Sequence, residues 1–172
     1  VFQAKYKGLQ LPVFFPGTSN SYTSNASAAT IKGIEFEPTW QLLDSLQVYS
    51  SMAWTQGKYT QPFVCSGQFG TFRECSGNHI KGVIPHKIVS GLVFTPQLPI
   101  PGQIRMSTEW NRTGAYFNNV ANEGFLVQTE SSDIYNGAIG WTSPDETLAV
   151  TLDVRNLADK HYVLAGLQLA NP

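Results

Sequence analysis

Apolar and polar residues alternate along most of this chain with a period of two. The clearest run is Thr147–Arg155, where four aliphatic side chains share one side: Leu148, Val150, Leu152 and Val154. Thr147, Ala149, Thr151, Asp153 and Arg155 occupy the other side. Successive side chains of a β-strand point to opposite faces, so this pattern predicts a strand with one apolar and one polar face.

The same alternation recurs upstream, although the run at Ile88–Thr95 is more apolar and less regular. The predicted strands cover residues 1 to about 11, 33–37, 46–54, 88–95, 104–111, 134–141 and 147–155. No stretch shows a convincing helical period, and the longest apolar runs fall far short of the roughly 20 residues of a transmembrane helix. We therefore predict an all-β chain, an antiparallel up-and-down meander of about seven strands.

The predicted connections alternate in length along the chain. The long ones are about Pro12–Ala29, Gly57–Pro85 and Phe117–Asp133, and the short ones are Gln41–Asp44, Gln97–Gly102 and Ser143–Glu146. Alternate turns of a meander lie at the same end of the sheet, so one end carries tight turns and the other carries long loops. This asymmetry is typical of bacterial outer-membrane barrels.

The two predicted strand faces suit two different solvents. The apolar face suits lipid, and Trp40, Trp54, Trp110 and Trp141 lie near strand ends, as in an aromatic girdle. The residues predicted to face a wet lumen are Glu35, Glu37, Arg105, Glu109, Asp153 and Arg155. Alternation alone equally fits a soluble sandwich, perhaps a carbohydrate-binding module, whose apolar face would pack on a second sheet.

Composition narrows the class of protein further. Only 13% of the residues are charged and 42% are hydrophobic, whereas a soluble domain carries about 25% charged residues. The 11 basic and 12 acidic residues nearly cancel, so the chain has no basic footprint for nucleic acid.

Cys65 and Cys75 are the only cysteines. Gly67, Gly70 and polar neighbours argue against two buried free thiols, and we predict a short-range disulfide formed in an oxidising compartment. His79 is the nearest histidine, but its spacing fits no zinc site. His86 and His161 show no ligand spacing either, so we predict neither a metal nor another cofactor.

Three segments together resemble the C-terminal half of TonB-dependent receptors. Ala29-Thr-Ile-Lys-Gly-Ile-Glu-Phe-Glu37 resembles the family's GxExE strand, and Pro85-His-Lys-Ile-Val-Ser-Gly91 its strand-opening proline. Val154-Arg-Asn-Leu-Ala-Asp-Lys-His-Tyr162 resembles its NLxDxxY segment. They occur in the family's order and spacing. The matching structural positions are Gly33, Asn156, Leu157, Asp159 and Tyr162.

The resemblance implies that residues 1–172 are part of a 22-stranded transmembrane β-barrel, without its plug domain and last strand. It implies energy-coupled uptake of a scarce nutrient across the Gram-negative outer membrane, most often a ferric siderophore or similar iron complex. The implied partners are outer-membrane lipid, a small nutrient ligand, and an inner-membrane energy-coupling complex that acts through the plug. No catalytic residue is implied, because the family makes no bonds.

A ligand-contacting loop is the remaining functional prediction. Its aromatic and basic residues suit an anionic iron chelate: Tyr59, Phe63, Phe69, Phe72, Arg73 and His79. The same side chains would equally suit packing of the loop around the disulfide.

An enzymatic alternative uses Glu35 and Glu37 as the acid pair of a glycoside hydrolase, since they are roughly 6.5–7 Å apart along a strand. Catalytic carboxylates usually flank a cleft from different strands, which disfavours it.

Overall fold

The computed structural model describes residues 1–14, 20–67, 71–123 and 128–164, and the regular structure in these ranges is β-strand. The strands are β1 Phe2–Phe14, β2 Ser21–Phe36, β3 Thr39–Leu43, β4 Leu46–Tyr59, β5 Val64–Ser66, β6 Phe72–Glu74, β7 His86–Phe94, β8 Gln103–Thr113, β9 Ser132–Thr142 and β10 Ala149–Val154. No helix in these ranges is long and apolar enough to cross a membrane.

The main sheet is an antiparallel meander. Its strands are hydrogen-bonded in the order β1-β2-β4-β7-β8-β9-β10, and β3 also pairs with β4. A second, two-stranded sheet consists of β5 and β6. The all-β meander predicted from the alternation is confirmed.

β2 and β3 are two parts of one strand in the pairing. Phe36 pairs with Met52 and Thr39 with Tyr49, so both chains advance three residues across the interruption. Pro38 lies in the gap and has no N–H for the ladder, although its carbonyl accepts a bond from Ser50 N at 2.9 Å. The sheet therefore has seven strand positions, as the alternation predicts.

The first connection is much shorter than predicted. We expected a long loop over Pro12–Ala29, but β1 continues to Phe14 and β2 begins at Ser21. Gln3 pairs with Lys32 and Leu11 pairs with Ser24, so β1 and β2 keep the same register along their length. Residues 21–29 are mainly Ser, Thr, Asn and Ala, and Ser, Asn and Ala have weak strand preference, so the sequence reads as a loop. Pairing with β1 makes it a strand.

The tight turn at the other end is held by side chains of the turn itself. In the β9–β10 turn, Ser143 N donates to Leu148 O at 2.8 Å, and Ser143 Oγ donates to Asp145 Oδ1 at 2.6 Å. The Ser143 hydroxyl, helped by Thr147, holds the pKa of Asp145 below its usual range. The short Ser143–Glu146 connection is thus confirmed as a turn.

The two faces of the sheet differ in chemistry as predicted. Val150 pairs with Trp141 and Leu152 with Ile139, so these four side chains share one face, which we call the apolar face. Val150 and Leu152 are 59% and 63% exposed. Asp153 and Glu109 belong to the opposite side, the polar face. Among the described residues, the only other sheet has three-residue strands, which is too small to form a sandwich.

Buried packing is concentrated at the long-connection end of the sheet. The buried apolar residues are Ala29, Tyr59, Phe63, Cys65, Cys75 and Ala121. They come from β2, β4, the β5–β6 hairpin and the connection after β8. The best-packed part of the described chain is therefore the base of the long loops and not the sheet itself.

Candidate functional site

A disulfide-bonded hairpin, β5–β6, lies in the connection between β4 and β7. Cys65 and Cys75 are bonded, with their Cα atoms 6.0 Å apart. Cys65 pairs with Arg73 across β5 and β6, and Cys75 N donates to Phe63 O at 3.0 Å just beyond the strands. The predicted disulfide is confirmed, as is its place at the long-connection end. The hairpin that it closes was not predicted, because three-residue strands are too short to show a period.

Two of the predicted ligand-contacting aromatics lie inside this packing. Tyr59 is the last residue of β4 and not a loop residue. It is 2% exposed, and Phe63, which is 8% exposed, meets it edge-to-face with ring centroids 5.0 Å apart. Their burial supports the packing alternative for this pair. Phe69 lies outside the described residues.

The remaining predicted contact residues are exposed. Phe72 lies on β6 and is 48% exposed. Arg73 forms an ion pair with Glu123 from the connection after β8. His79 is exposed and stacks on Phe117, with ring centroids 5.5 Å apart. The prediction that Phe72, Arg73 and His79 contact a ligand is therefore compatible with their positions.

Two asparagines join the two long connections. Asn78 Nδ2 donates to the carbonyls of Val120 and Ala121, both at 3.0 Å. Asn122 Oδ1 accepts from His79 N, and Asn122 Nδ2 donates to His79 O. Asn122 has a φ of 55°, a left-handed conformation that asparagine tolerates. The connections after β4 and after β8 therefore form one assembly. Neither asparagine was singled out from the sequence, since their partners are more than 40 residues away.

On the polar face, a hydrogen-bonded cluster surrounds Glu109. Tyr49 OH donates to Glu109 Oε2 at 3.1 Å, across β7. Asn111 Nδ2 and Asn136 Nδ2 donate to Glu109 Oε1 at 2.7 and 3.4 Å. Gly91 lies under the Tyr49 ring, where an added Cβ would be 2.5 Å from the hydroxyl oxygen. A carboxylate can accept about four hydrogen bonds, so these three donors use most of the capacity of Glu109.

The other predicted lumen-facing residues share this face but not this cluster. Asp153 and Arg155 pair with each other at 3.1 Å and line an open recess of about 330 Å³ together with Tyr49, Glu109 and Asn136. Glu37 accepts a bond from Ser51 Oγ at 3.2 Å. Glu35 and Arg105 fall on the polar face by register. Glu35 and Glu37 lie on an exposed sheet surface, and within the described ranges no second wall faces them.

The structural positions of the predicted motifs have clear local roles. An added Cβ at Gly33 would lie 2.6 Å from Trp54 O and 2.7 Å from the Phe2 ring, so the position leaves no room for a side chain. Leu157 N donates to Tyr135 O at 2.8 Å, which continues the edge of β9 beyond β10. Tyr162 is exposed, in the segment that follows.

Asn156 closes a turn at this point. It has a φ of 51°, its Oδ1 accepts from Lys160 N at 3.0 Å, and its Nδ2 donates to Lys160 O at 3.2 Å. Asp159 has a φ of 47° and donates its N–H to Asn156 O at 2.9 Å. Asn156 holds the turn through its side chain, whereas the bond seen for Asp159 comes from its backbone. Among the described residues, no group of His, Cys, Asp and Glu could hold a metal ion.

The comparison that decides the family is a match over most of the chain. The family model described as "TonB dependent receptor-like, beta-barrel" matches residues 1–157. The chain belongs to this family. In TonB-dependent receptors the barrel lies in the Gram-negative outer membrane, and its 22-stranded closure is inferred for this chain from the family.

Two solved structures resemble this TonB-dependent receptor chain. One is the ferric yersiniabactin uptake receptor FyuA from Yersinia pestis, with a TM-score of 0.75, 17% identity and 97% of this chain covered. The other is the siderophore receptor PiuA from Acinetobacter baumannii, with a TM-score of 0.67, 16% identity and 93% covered. The chain spans 23% and 21% of those two proteins. At these identities the likeness shows the fold. No curated protein matches the chain.

Proposed function

We propose that residues 1–172 form part of the wall of an outer-membrane barrel that takes up a ferric siderophore or similar iron complex. The complete protein would add the remaining strands and a plug domain. An inner-membrane complex would act on the plug to release bound ligand, so the protein would transport without catalysing a reaction.

The observation that carries this proposal is the exposed apolar face. Val150, Leu152 and Ile139 are exposed on adjoining strands, and no second sheet covers them among the described residues. All four tryptophans fall on the same face by register, because Trp40 pairs with Val48, Trp54 with Ile34, Trp110 with Tyr135 and Trp141 with Val150. A surface this apolar is stable against lipid and costly against water.

The assembled long loops support the ligand part of the proposal. Phe72, Arg73 and His79 lie on one hairpin and its following segment, fixed to the connection after β8. Aromatic rings and a guanidinium suit the anionic surface of a metal chelate. The names of the two similar structures, a ferric yersiniabactin uptake receptor and a siderophore receptor, point to the same ligand class.

The membrane assignment is tested by tryptophan fluorescence. The complete protein is reconstituted in vesicles of ordinary and of brominated phosphatidylcholine, in which bromine quenches a nearby indole. We expect strong quenching, and we expect the quenched fraction to fall in Trp54→Phe and Trp141→Phe. Equal fluorescence in both vesicles would remove the membrane assignment and favour a soluble carbohydrate-binding module.

The ligand is tested by uptake of radioactive iron from a panel of ferric siderophores into iron-starved cells that lack or carry the gene. Phe72→Ala combined with His79→Ala should weaken uptake at limiting ligand, while Tyr162→Ala, an exposed aromatic outside the loops, should not. The absence of gene-dependent uptake for every iron complex would contradict the proposed ligand class and leave the membrane result standing.

A further inference from the structure

Four of the seven lysines form a patch on the apolar face, beside the long-connection end. Lys5 pairs with Thr30 and Thr30 pairs with Lys58, so one row crosses β1, β2 and β4. Lys32, between Gln3 and Gln56, belongs to the next row towards the tight-turn end, and Lys7 lies two residues beyond Lys5. All four side chains are exposed. We call Lys5, Lys7, Lys32 and Lys58 the lysine patch.

The patch is compact enough for one multiply charged group. Neighbouring strands are about 4.8 Å apart and alternate residues about 7 Å apart, so Lys5 lies about 10 Å from Lys58 and about 7 Å from Lys7 at the backbone. Lysine side chains are long enough for their ammonium groups to converge within these distances.

No acidic side chain neutralises the patch among the described residues. The ion pairs found there are Arg73–Glu123, Arg112–Asp133 and Arg155–Asp153, none of which includes a lysine. The one carboxylate within β1, β2 and β4 is Glu35, which lies on the polar face. Arg112 provides a contrast, because Asp133 balances its charge on the same apolar face at 2.9 Å.

The patch adjoins the lipid-suited surface directly. The row next to Lys32 contains Ile34 and Trp54, and Met52 pairs with Phe36 one row further. Ile34, Phe36 and Trp54 are exposed. The surface therefore changes from apolar to basic within one row of side chains.

From this arrangement we propose that the lysine patch binds the phosphate groups of anionic lipids in the membrane leaflet at the long-connection end. The proposal rests on the proposed membrane position of the apolar face. Lysines near an anionic lipid surface each strengthen binding by on the order of fivefold, and the patch supplies uncompensated charges next to acyl-binding surface. The occupant is a lipid, because a soluble anion would make no use of the adjoining Ile34 and Trp54.

The test compares two triple variants that each remove three positive charges. Lys5→Gln, Lys32→Gln and Lys58→Gln neutralise the patch. The matched control replaces Lys81, Lys87 and Lys160 by Gln, which lie in the β4–β7 connection, on the polar face of β7, and after β10. The complete protein is purified in a zwitterionic detergent, and its affinities for phosphatidic acid and phosphatidylcholine are measured by native mass spectrometry. Circular dichroism checks that each variant is folded.

We expect the unmodified protein to prefer phosphatidic acid, and the patch triple to bind it about 100-fold more weakly. The control triple should stay within about twofold, and replacement of the same three patch lysines by arginine should keep the affinity. Equal loss in both glutamine triples, no loss in the patch triple, or displacement of the lipid by inorganic phosphate would overturn the proposal.

The same samples separate this proposal from the proposed function. Protein that fails to show quenching in brominated vesicles contradicts the membrane position and the patch together. Protein that shows quenching, but whose lipid preference is unchanged in the patch triple, contradicts the patch alone.

Discussion

Some residues of this sheet are constrained mainly by a side chain that lies over them from a neighbouring strand. Gly91 is the clearest case, because the Tyr49 ring lies over it to reach Glu109. In an antiparallel sheet a glycine leaves its position open, and an aromatic ring on the neighbouring strand covers it. The glycine and the hydroxyl–carboxylate bond therefore depend on each other.

Replacing Gly91 by alanine should displace Tyr49 and break its bond to Glu109. The new Cβ would lie 2.5 Å from both Thr108 O and the Tyr49 hydroxyl. We expect the free energy of unfolding to fall by about 1–3 kcal/mol, measured by urea unfolding in detergent. The matched control is Gly137→Ala in β9, where the nearest atom would be 3.6 Å away. Equal effects of the two substitutions would show that glycine flexibility, and not the ring, decides the cost.

Asn156 combines a left-handed backbone with two side-chain bonds to Lys160. Asn156→Ala loses both bonds and strains the backbone, so we expect the free energy of unfolding to fall by about 1–2 kcal/mol. Asn156→Asp keeps the Oδ1 acceptor for Lys160 N and should cost less. Thermal unfolding in detergent gives both values. An Asp variant as unstable as the Ala variant would mean that the Nδ2 donor dominates.

The β5–β6 hairpin shows how an element too short to be stable alone is maintained. Its strands have three residues each, and an isolated hairpin is marginal in water. The disulfide, the Tyr59–Phe63 contact and the bonds of Asn78 and Asn122 hold it to the rest of the loop assembly. The hairpin is ordered by these tertiary contacts. Its exposed residues can therefore vary without loss of the buried packing beneath it.

Replacing Cys65 and Cys75 together by serine should loosen the hairpin and leave the sheet in place. The disulfide closes a loop with a sequence separation of 10 residues, so we expect a local loss of about 2–3 kcal/mol. Hydrogen exchange measured by mass spectrometry should speed up at residues 63–79 and stay unchanged in β8 and β9. Faster exchange throughout β7, β8 and β9 would contradict this separation of loop and sheet.

At the scale of the whole molecule, the described sheet is open. β1 and β10 are its two edge strands and are not paired with each other. Unpaired edges and a broad exposed apolar face are both sources of aggregation. A closed barrel in lipid removes both, because every strand is paired and the apolar face is covered.

Residues 1–172 expressed alone should therefore aggregate in water or require detergent. Size-exclusion chromatography and thermal unfolding of the purified fragment, with and without detergent, measure this directly. Val150→Ser and Leu152→Ser on the apolar face should reduce aggregation of the fragment. Thr151→Ser on the polar face is the matched control and should not reduce it. A monodisperse monomer with one cooperative transition in plain buffer would contradict the barrel assignment and revive the soluble sandwich.

The sequence by itself determined the seven strand positions of the main sheet, their two faces and the family. Alternation is a local property of each strand, so the apolar side of Leu148–Val154 and the polar side with Asp153 and Arg155 were readable before any pairing was known. The cysteine spacing and its glycine-rich surroundings were equally local, and the disulfide followed from them. The Ser143–Glu146 turn is held by its own side chains, which is why it was predictable.

Only the tertiary structure decided which residues meet. Weakly strand-forming residues 21–29 became β2 because β1 pairs with them, and Pro38 became an interruption within one strand because both flanks share a partner. Tyr59 was placed in the core by residues of three other segments. The Tyr49–Glu109 bond and the lysine patch each depend on register between strands. Register is set by the pairing of whole strands, and no local stretch of sequence contains that information.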